Sequence, residues 1–170
     1  MSIVQHRDQA PASVAIKVIT VSDTRKKEDD RSGELIVSLL KEAGHQLIGH
    51  IIVKDEKSLI RSALLDGCEN KNIDAVITNG GTGLAKRDVS IEALKMIVEK
   101  EIPGFGELFR MLSYQEGLKS GAMMSRAAAG ISMDTVVIAL PGSTGAVKLA
   151  MEKLILPEIG HLVFEAKKDL

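Results

Sequence analysis

The sequence predicts a doubly wound α/β sandwich, and two observations carry that expectation. Four short runs, Val14 to Val21, Gln46 to Val53, Ile73 to Thr78 and Thr135 to Leu140, are almost unbroken in aliphatic and β-branched residues. Such runs read as strands buried on both faces, the habit of a parallel sheet. Between them the apolar spacing changes to the helical period, and strand followed by helix in regular order calls for right-handed crossovers. A chain of 170 residues, 45% of them apolar, closes one core of this kind and leaves no material for a second. The domain is therefore expected over residues 14–170, preceded over residues 1–13 by a polar arm that contains Pro11.

Each element has a local reason. The first strand, VAIKVITV, carries Lys17 as its one charge. Ile36, Leu39, Leu40 and Ala43 form a helical stripe before Gly44, and Ile60, Ala63 and Leu64 form another before Gly67, so each glycine is placed to end its helix. Ile91, Leu94, Ile97 and Val98 give a third helix, with Ser90 as N-cap and Val89 opposite Leu94 as a hydrophobic staple. Phe105, Leu108, Phe109 and Leu112 give a fourth after Pro103 and Gly104. The stretches Ala146 to Leu156 and Glu158 to Ala166 are two helices or one kinked helix, because Pro157 lacks an amide donor and crowds the preceding turn. Ala127 to Ile131, small and apolar, reads as core or as a subunit interface.

Composition removes several functions. Twenty-two Lys plus Arg against 23 Asp plus Glu leave a formal charge of −1, without the basic excess that drives non-specific nucleic-acid binding. With 2% aromatics there is no stacking platform for single strands. No apolar run approaches the roughly 20 residues of a membrane span, and the N-terminus lacks a basic start followed by an apolar stretch. Cys68 is the single cysteine, unable to form an internal disulfide, and reads as a small core residue in a reducing cytoplasm. His6, His45, His50 and His161 are too scattered to ligate a metal by local spacing and are assigned no chemistry; Met123 and Met124 read as packing. No nucleophile stands beside a histidine base, which disfavours hydrolases.

Ligands of doubly wound folds bind beyond the carboxyl ends of the strands, so the four loops there are where chemistry is sought. After the third strand comes Asn79-Gly80-Gly81-Thr82-Gly83-Leu84-Ala85-Lys86-Arg87-Asp88. Three glycines in four residues let the backbone turn sharply and offer its amides to a phosphate or carboxylate. The spacing matches neither a Walker A loop nor the dinucleotide fingerprint. Asp55, after the second strand, reads by itself as a solvated charge or a cap; paired with Asp88 at the same sheet end it suits Mg²⁺, which takes one or two protein oxygens and completes its shell with water and phosphate. The first loop offers Ser22, Asp23 and Thr24, then Asp30, Ser32 and Gly33, where Asp30 or Ser32 caps the next helix or meets a ligand. Pro141-Gly142-Ser143 leads into a helix whose first amides accept an anion. Ser125 and Arg126 add a hydroxyl and a guanidinium, the latter a ligand contact or an ion pair.

Val21-Ser22-Asp23-Thr24, Asp30-Arg31-Ser32-Gly33, Gly80-Gly81-Thr82-Gly83 with Arg87-Asp88-Val89 and Glu92, Met124-Ser125-Arg126 and Pro141-Gly142 together resemble the MoaB/Mog family of molybdopterin-binding proteins. The likeness runs from about Val14 to Leu162, and the N-terminal tail together with Gly104 to Arg110 resembles the B branch. It implies a three-layer α/β/α domain with a mostly parallel sheet, assembled as a homotrimer or homohexamer, that acts in molybdenum cofactor synthesis. It further implies molybdopterin and ATP as substrates and Mg²⁺ as cofactor of an adenylyl transfer that releases pyrophosphate, or alternatively a non-catalytic carrier that holds molybdopterin. By resemblance Asp55 and Asp88 are the catalytic or metal carboxylates, Gly80 to Gly83 hold a phosphate, and Ser125 lies near the pterin. Ser143-Thr144-Gly145 departs from the pattern of many members, which have a second Pro or an Asn in this loop.

Overall fold

A computed structural model of the chain describes residues 10–169. Among them six strands form one sheet in the order β2-β1-β3-β6-β5-β4. β1 (Ala15–Val21), β2 (Gln46–Val53), β3 (Ala75–Asn79) and β6 (Thr135–Leu140) are parallel, whereas β4 (Lys100–Glu101) and β5 (Ala128–Ser132) run antiparallel to their neighbours. The fold is the three-layer α/β/α sandwich, and the alternation of side chains along each strand builds it. Val14, Ile16 and Val18 of the first strand region pack with α1 (Arg31–Glu42), α4 (Pro103–Ser113), α5 (Thr144–Ala150) and α6 (Leu156–Lys167). Ile19, Val21, Val76 and Val137 pack on the other face with α2 (Lys57–Glu69) and α3 (Ser90–Lys95).

Gly44, at φ 81, closes α1 as the stripe before it requires. Gly67 does not close α2, which continues to Glu69; a Cβ there would stand 2.5 Å from Val76 Cγ2, so its role is close packing of the helix on the sheet. Ser90 is the first residue of α3 rather than its cap, because its hydroxyl donates to Gly80 O (2.7 Å) and Val89 takes the cap position. Ile97 stays buried although α3 ends at Lys95.

Ala127 to Ile131 holds a strand that propensity alone does not mark. A Cβ on Gly130 would lie 2.5 Å from Val98 Cγ1 and 2.7 Å from Lys100 O, so the missing side chain is what lets β4 approach β5. The chain after α5 is one continuous helical path. Around Met151–Ile155 it widens so that the Leu156 amide reaches Met151 O, a π-turn that makes room for Pro157. Between α4 and β5 the backbone from Tyr114 to Met124 is irregular, with Gly117 (φ 117) and Lys119 (φ 48) in left-handed conformations and only Ala122 buried.

Of the arm expected over residues 1–13, positions 1–9 lie outside the described residues. Ser13 Oγ donates to Gly44 O (2.9 Å), and Pro11 O lies so near Gly160 that a Cβ there would stand 2.7 Å away.

Phe109 of α4 lies in the core and is one of its largest fully buried side chains. Phe109→Ala is expected to lower stability by about 3–5 kcal/mol, read from the denaturation midpoint at fixed protein concentration.

Candidate functional site

The parallel strands end at one edge of the sheet, and their loops enclose a cleft of about 450 Å³. Val21, Ser22, Thr24 and Arg25 line it from the loop after β1, Gly80 to Gly83 and Asp88 from the loop after β3, and Pro141 and Gly142 from the loop after β6. Met124, Ser125 and Arg126 form the remaining side. Met124, Ser125 and Pro141 also belong to an adjoining groove of about 780 Å³, lined on its far side by α5 and the widened turn after it. Ser143 faces that groove and caps α5 by accepting from the Ala146 amide (3.2 Å).

The glycine loop is held by backbone contact. Gly80 sits at φ 103, its amide bonded to Leu140 O, and a Cβ on it would stand 2.2 Å from Val21 O. Gly81 follows at φ 65, with Asp55 Oδ1 2.8 Å from its Cβ position. Two successive left-handed residues under such contacts admit glycine alone. The amides of Gly81, Thr82 and Gly83 donate to nothing among the described residues, which leaves three donors along the loop. Arg126 fastens the loop from outside: its guanidinium donates to Thr82 O (2.8 Å), Gly83 O (2.8 Å) and both oxygens of Glu92 (2.6 and 3.2 Å). The Arg126 bond holds the Glu92 carboxyl below the usual carboxylate range.

Asp88 points back at the loop, with Oδ2 2.5 Å from the Cβ position of Gly83 and accepting from the Ala85 amide (3.1 Å). Asp55 lies behind Gly81, and its Oδ1 is buried without a hydrogen-bond partner among the described residues. Burial pushes the Asp55 carboxyl above its ordinary range, the Val89 amide offsets part of this, and the negative charges of Asp88 and Asp23 add to the rise. Asp23 ties three loops together instead of facing the cleft. It accepts from the Asp55 amide (3.1 Å) and from Arg87 at Nε (2.9 Å) and Nη2 (2.8 Å), and the Asp55 amide does most to lower its pKa. Ser22 Oγ, in turn, accepts from the Thr24 and Arg25 amides and shapes the first loop.

Asp30, Ser32 and Gly33 lie beneath the cleft. Asp30 caps α1 through the Gly33 amide (3.0 Å) and is fully buried, with Thr20 Oγ1 at 2.5 Å and His50 Nε2 at 2.9 Å. Ser32 Oγ accepts from Asn79 Nδ2 (2.8 Å) and from Arg25 Nη1 (2.6 Å). Thr20, Asn79, His50 and Arg25 are the members that sequence reasoning passed over. The signal was present: Thr20 and Asn79 are polar residues at the carboxyl ends of mostly apolar strands, and they pair in register.

A divalent cation is consistent with this donor set. Two carboxylates flank the loop and one of their oxygens is buried and unpartnered, while among the described residues no cluster of three His, Cys, Asp or Glu could ligate a metal by itself. Mg²⁺ would therefore draw on water and phosphate oxygens for the rest of its shell. No described helix is long and apolar enough to cross a membrane.

Residues 17–161 match a family model described as a probable molybdopterin binding domain. The chain is 56% identical over 169 residues to molybdenum cofactor biosynthesis protein B of Bacillus subtilis (strain 168), covering 99% of each. Its fold superposes on the crystal structure of a molybdenum cofactor biosynthesis protein B with TM-score 0.91 and 55% identity, covering 94% of this chain and 99% of that one. The tungsten cofactor synthesizing protein MoaB from Pyrococcus furiosus is similar at TM-score 0.82 and 36% identity, over 93% and 99% of the two chains.

The raised Asp55 pKa fixes the sign of a pH effect. Between the ordinary carboxylate value and the raised one, the folded protein binds the proton that the unfolded chain has lost, so stability falls as pH rises through that window and stays lower above it. Asp55→Asn is expected to be at least as stable as the parent at neutral pH, with the difference vanishing below about pH 4, read as the gap between their thermal midpoints across a pH series.

Proposed function

The chain belongs to the family of probable molybdopterin binding domains and serves molybdenum cofactor biosynthesis, and from that premise we propose that it adenylylates molybdopterin with Mg-ATP. The observation that carries this reading is the carboxylate pair at the glycine loop, where Asp55 presents a buried oxygen that no donor among the described residues satisfies and Asp88 stands close enough to raise its pKa. An unsatisfied buried polar group costs about 1–3 kcal/mol, a cost that a cation held at Asp55 would offset. The adjoining cavities support a reaction of two substrates, because they meet along Met124, Ser125 and Pro141, where two phosphate-bearing ligands could be brought end to end.

In the proposed reaction an oxygen of the pterin's terminal phosphate forms a bond to the α-phosphorus of ATP, and the bond from that phosphorus to its bridging oxygen breaks to release pyrophosphate. Asp55 and Asp88 would hold Mg²⁺, which when bound supplies neutralisation of the charge that grows on the leaving group. The protein's own share is positioning and fixed dipoles. Three amides unpaired among the described residues, Gly81, Thr82 and Gly83, are fixed before any ligand arrives, because Arg126 and the Val21 contact hold the loop. A preorganised donor of this type is typically worth on the order of 10²–10³ in rate. Ser125 stands on the shared wall, within reach of either ligand. The same reading places the protein in the cytoplasm as a homotrimer or homohexamer; a single, buried Cys68 accords with a reducing compartment.

The test is pyrophosphate release by the purified protein given molybdopterin, ATP and Mg²⁺. Release should depend on molybdopterin, and Asp88→Asn should keep the fold while lowering turnover by at least about 10²-fold. Saturable pterin binding with no release would assign the protein as a non-catalytic carrier of the same pathway, and unchanged turnover in folded Asp88→Asn would remove that carboxylate from the chemistry.

A further inference from the structure

We propose that Arg25 is the anion-holding residue of the cleft, and that the glycine loop completes a subsite whose charge Arg25 provides. Two guanidiniums line the cleft, and their situations differ. Arg126 commits four of its five N–H groups to Thr82 O, Gly83 O and both oxygens of Glu92, so it holds the loop with its charge already met by a carboxylate and one Nη1 hydrogen uncommitted. Arg25 donates through Nη1 to Ser32 Oγ (2.6 Å) and through Nη2 to Gly142 O (2.9 Å). Its Nε–H and the second hydrogen on each terminal nitrogen meet no acceptor among the described residues. Arg25 is thus the cleft-lining cation with more donors to spare, three against the one left on Arg126.

The side chain is also fixed from behind. Its Nη1 lies 3.6 Å from Asp30 Oδ1, and that carboxylate is itself pinned by the Gly33 amide, Thr20 and His50. Ser32, which accepts the Arg25 fork, is buried and held by Asn79. A planar fork locked in this way, with free N–H groups and with three free backbone amides on the same cleft, matches the several acceptor oxygens of a phosphate or diphosphate better than a single carboxylate. The choice of phosphate rests on the function proposed above; the placement of an anion on Arg25 does not.

The probe is inorganic pyrophosphate, titrated calorimetrically into the full chain at fixed ionic strength without pterin or ATP. The parent should bind it, Arg25→Gln should weaken binding by about 10- to 100-fold, and Arg25→Lys, which keeps the charge and loses the fork, should fall between. Lys27→Gln removes the same charge from an exposed position two residues away and should bind like the parent. As a measurement that needs no variant, phenylglyoxal should modify Arg25 in the free protein and be blocked there by pyrophosphate, read by mass spectrometry. The proposal is overturned if the parent does not bind pyrophosphate, if folded Arg25→Gln binds within about twofold of it, if Lys27→Gln loses as much, or if pyrophosphate leaves Arg25 modification unchanged. A protein that binds pyrophosphate through Arg25 and yet fails to act on molybdopterin would sink the adenylyl-transfer reading alone.

Discussion

The backbone contact between the end of β1 and the first glycine of the loop after β3 is the constraint on which the site depends. Val21 O lies where a Cβ of residue 80 would have to stand, so this loop can rest on its neighbouring strand only as bare backbone. Once Gly80 is seated there, Gly81 falls against Asp55, Gly83 falls against Asp88, and the carbonyls of Thr82 and Gly83 turn outward to Arg126. Two carboxylates more than thirty positions apart in sequence are thereby brought to one short stretch of loop. The hydroxyl of Ser90 closes the arrangement by returning to Gly80 O, which is why that residue is unavailable as a helix cap.

The parallel half of the fold was legible because apolar runs mark parallel strands, and β1, β2, β3 and β6 fall on the four runs. The expectation of burial on both faces holds for the inner strands and fails for β2, which is the edge of the sheet and has no buried residue, with Ile48 and Ile51 exposed. The antiparallel half left little mark. β5 is built of Ala and Gly because β4 and Val98 press against it, and small residues carry weak strand propensity; β4 is two exposed, charged residues, Lys100 and Glu101, with no apolar pattern at all. Gly67 misled for the opposite reason, since a glycine chosen for close packing inside a helix reads like one chosen to end it.

The site was legible where a residue's chemistry is coupled to a loop glycine and illegible where it is coupled through space. Gly80 to Gly83, Asp88, Ser22 and Pro141-Gly142 stand at strand ends in order, and the structure gathers them. Asp55 joins them from behind the loop, while Asp30 and Ser32 sit below the floor and Ser143 faces the next groove. His50 gave no local signal, because its partner Asp30 is twenty residues away and the strand pairing that unites them, Val18 opposite His50, exists only in the folded sheet. Arg126 likewise becomes a clamp only once Thr82 and Glu92 have been carried to it.

The irregular stretch from Tyr114 to Met124 carries a consequence for motion. It forms part of the wall between the cleft and the groove through Met124, yet it buries little beyond Ala122 and holds two left-handed residues. Free energies of local opening follow buried contact, so a segment of this kind sits at the low end of the molecule's stability while the sheet below stays near the global value. Local opening of this part of the wall is therefore expected to cost less than opening of the sheet. Opening confined to this stretch leaves the strand ends that line the cleft in place.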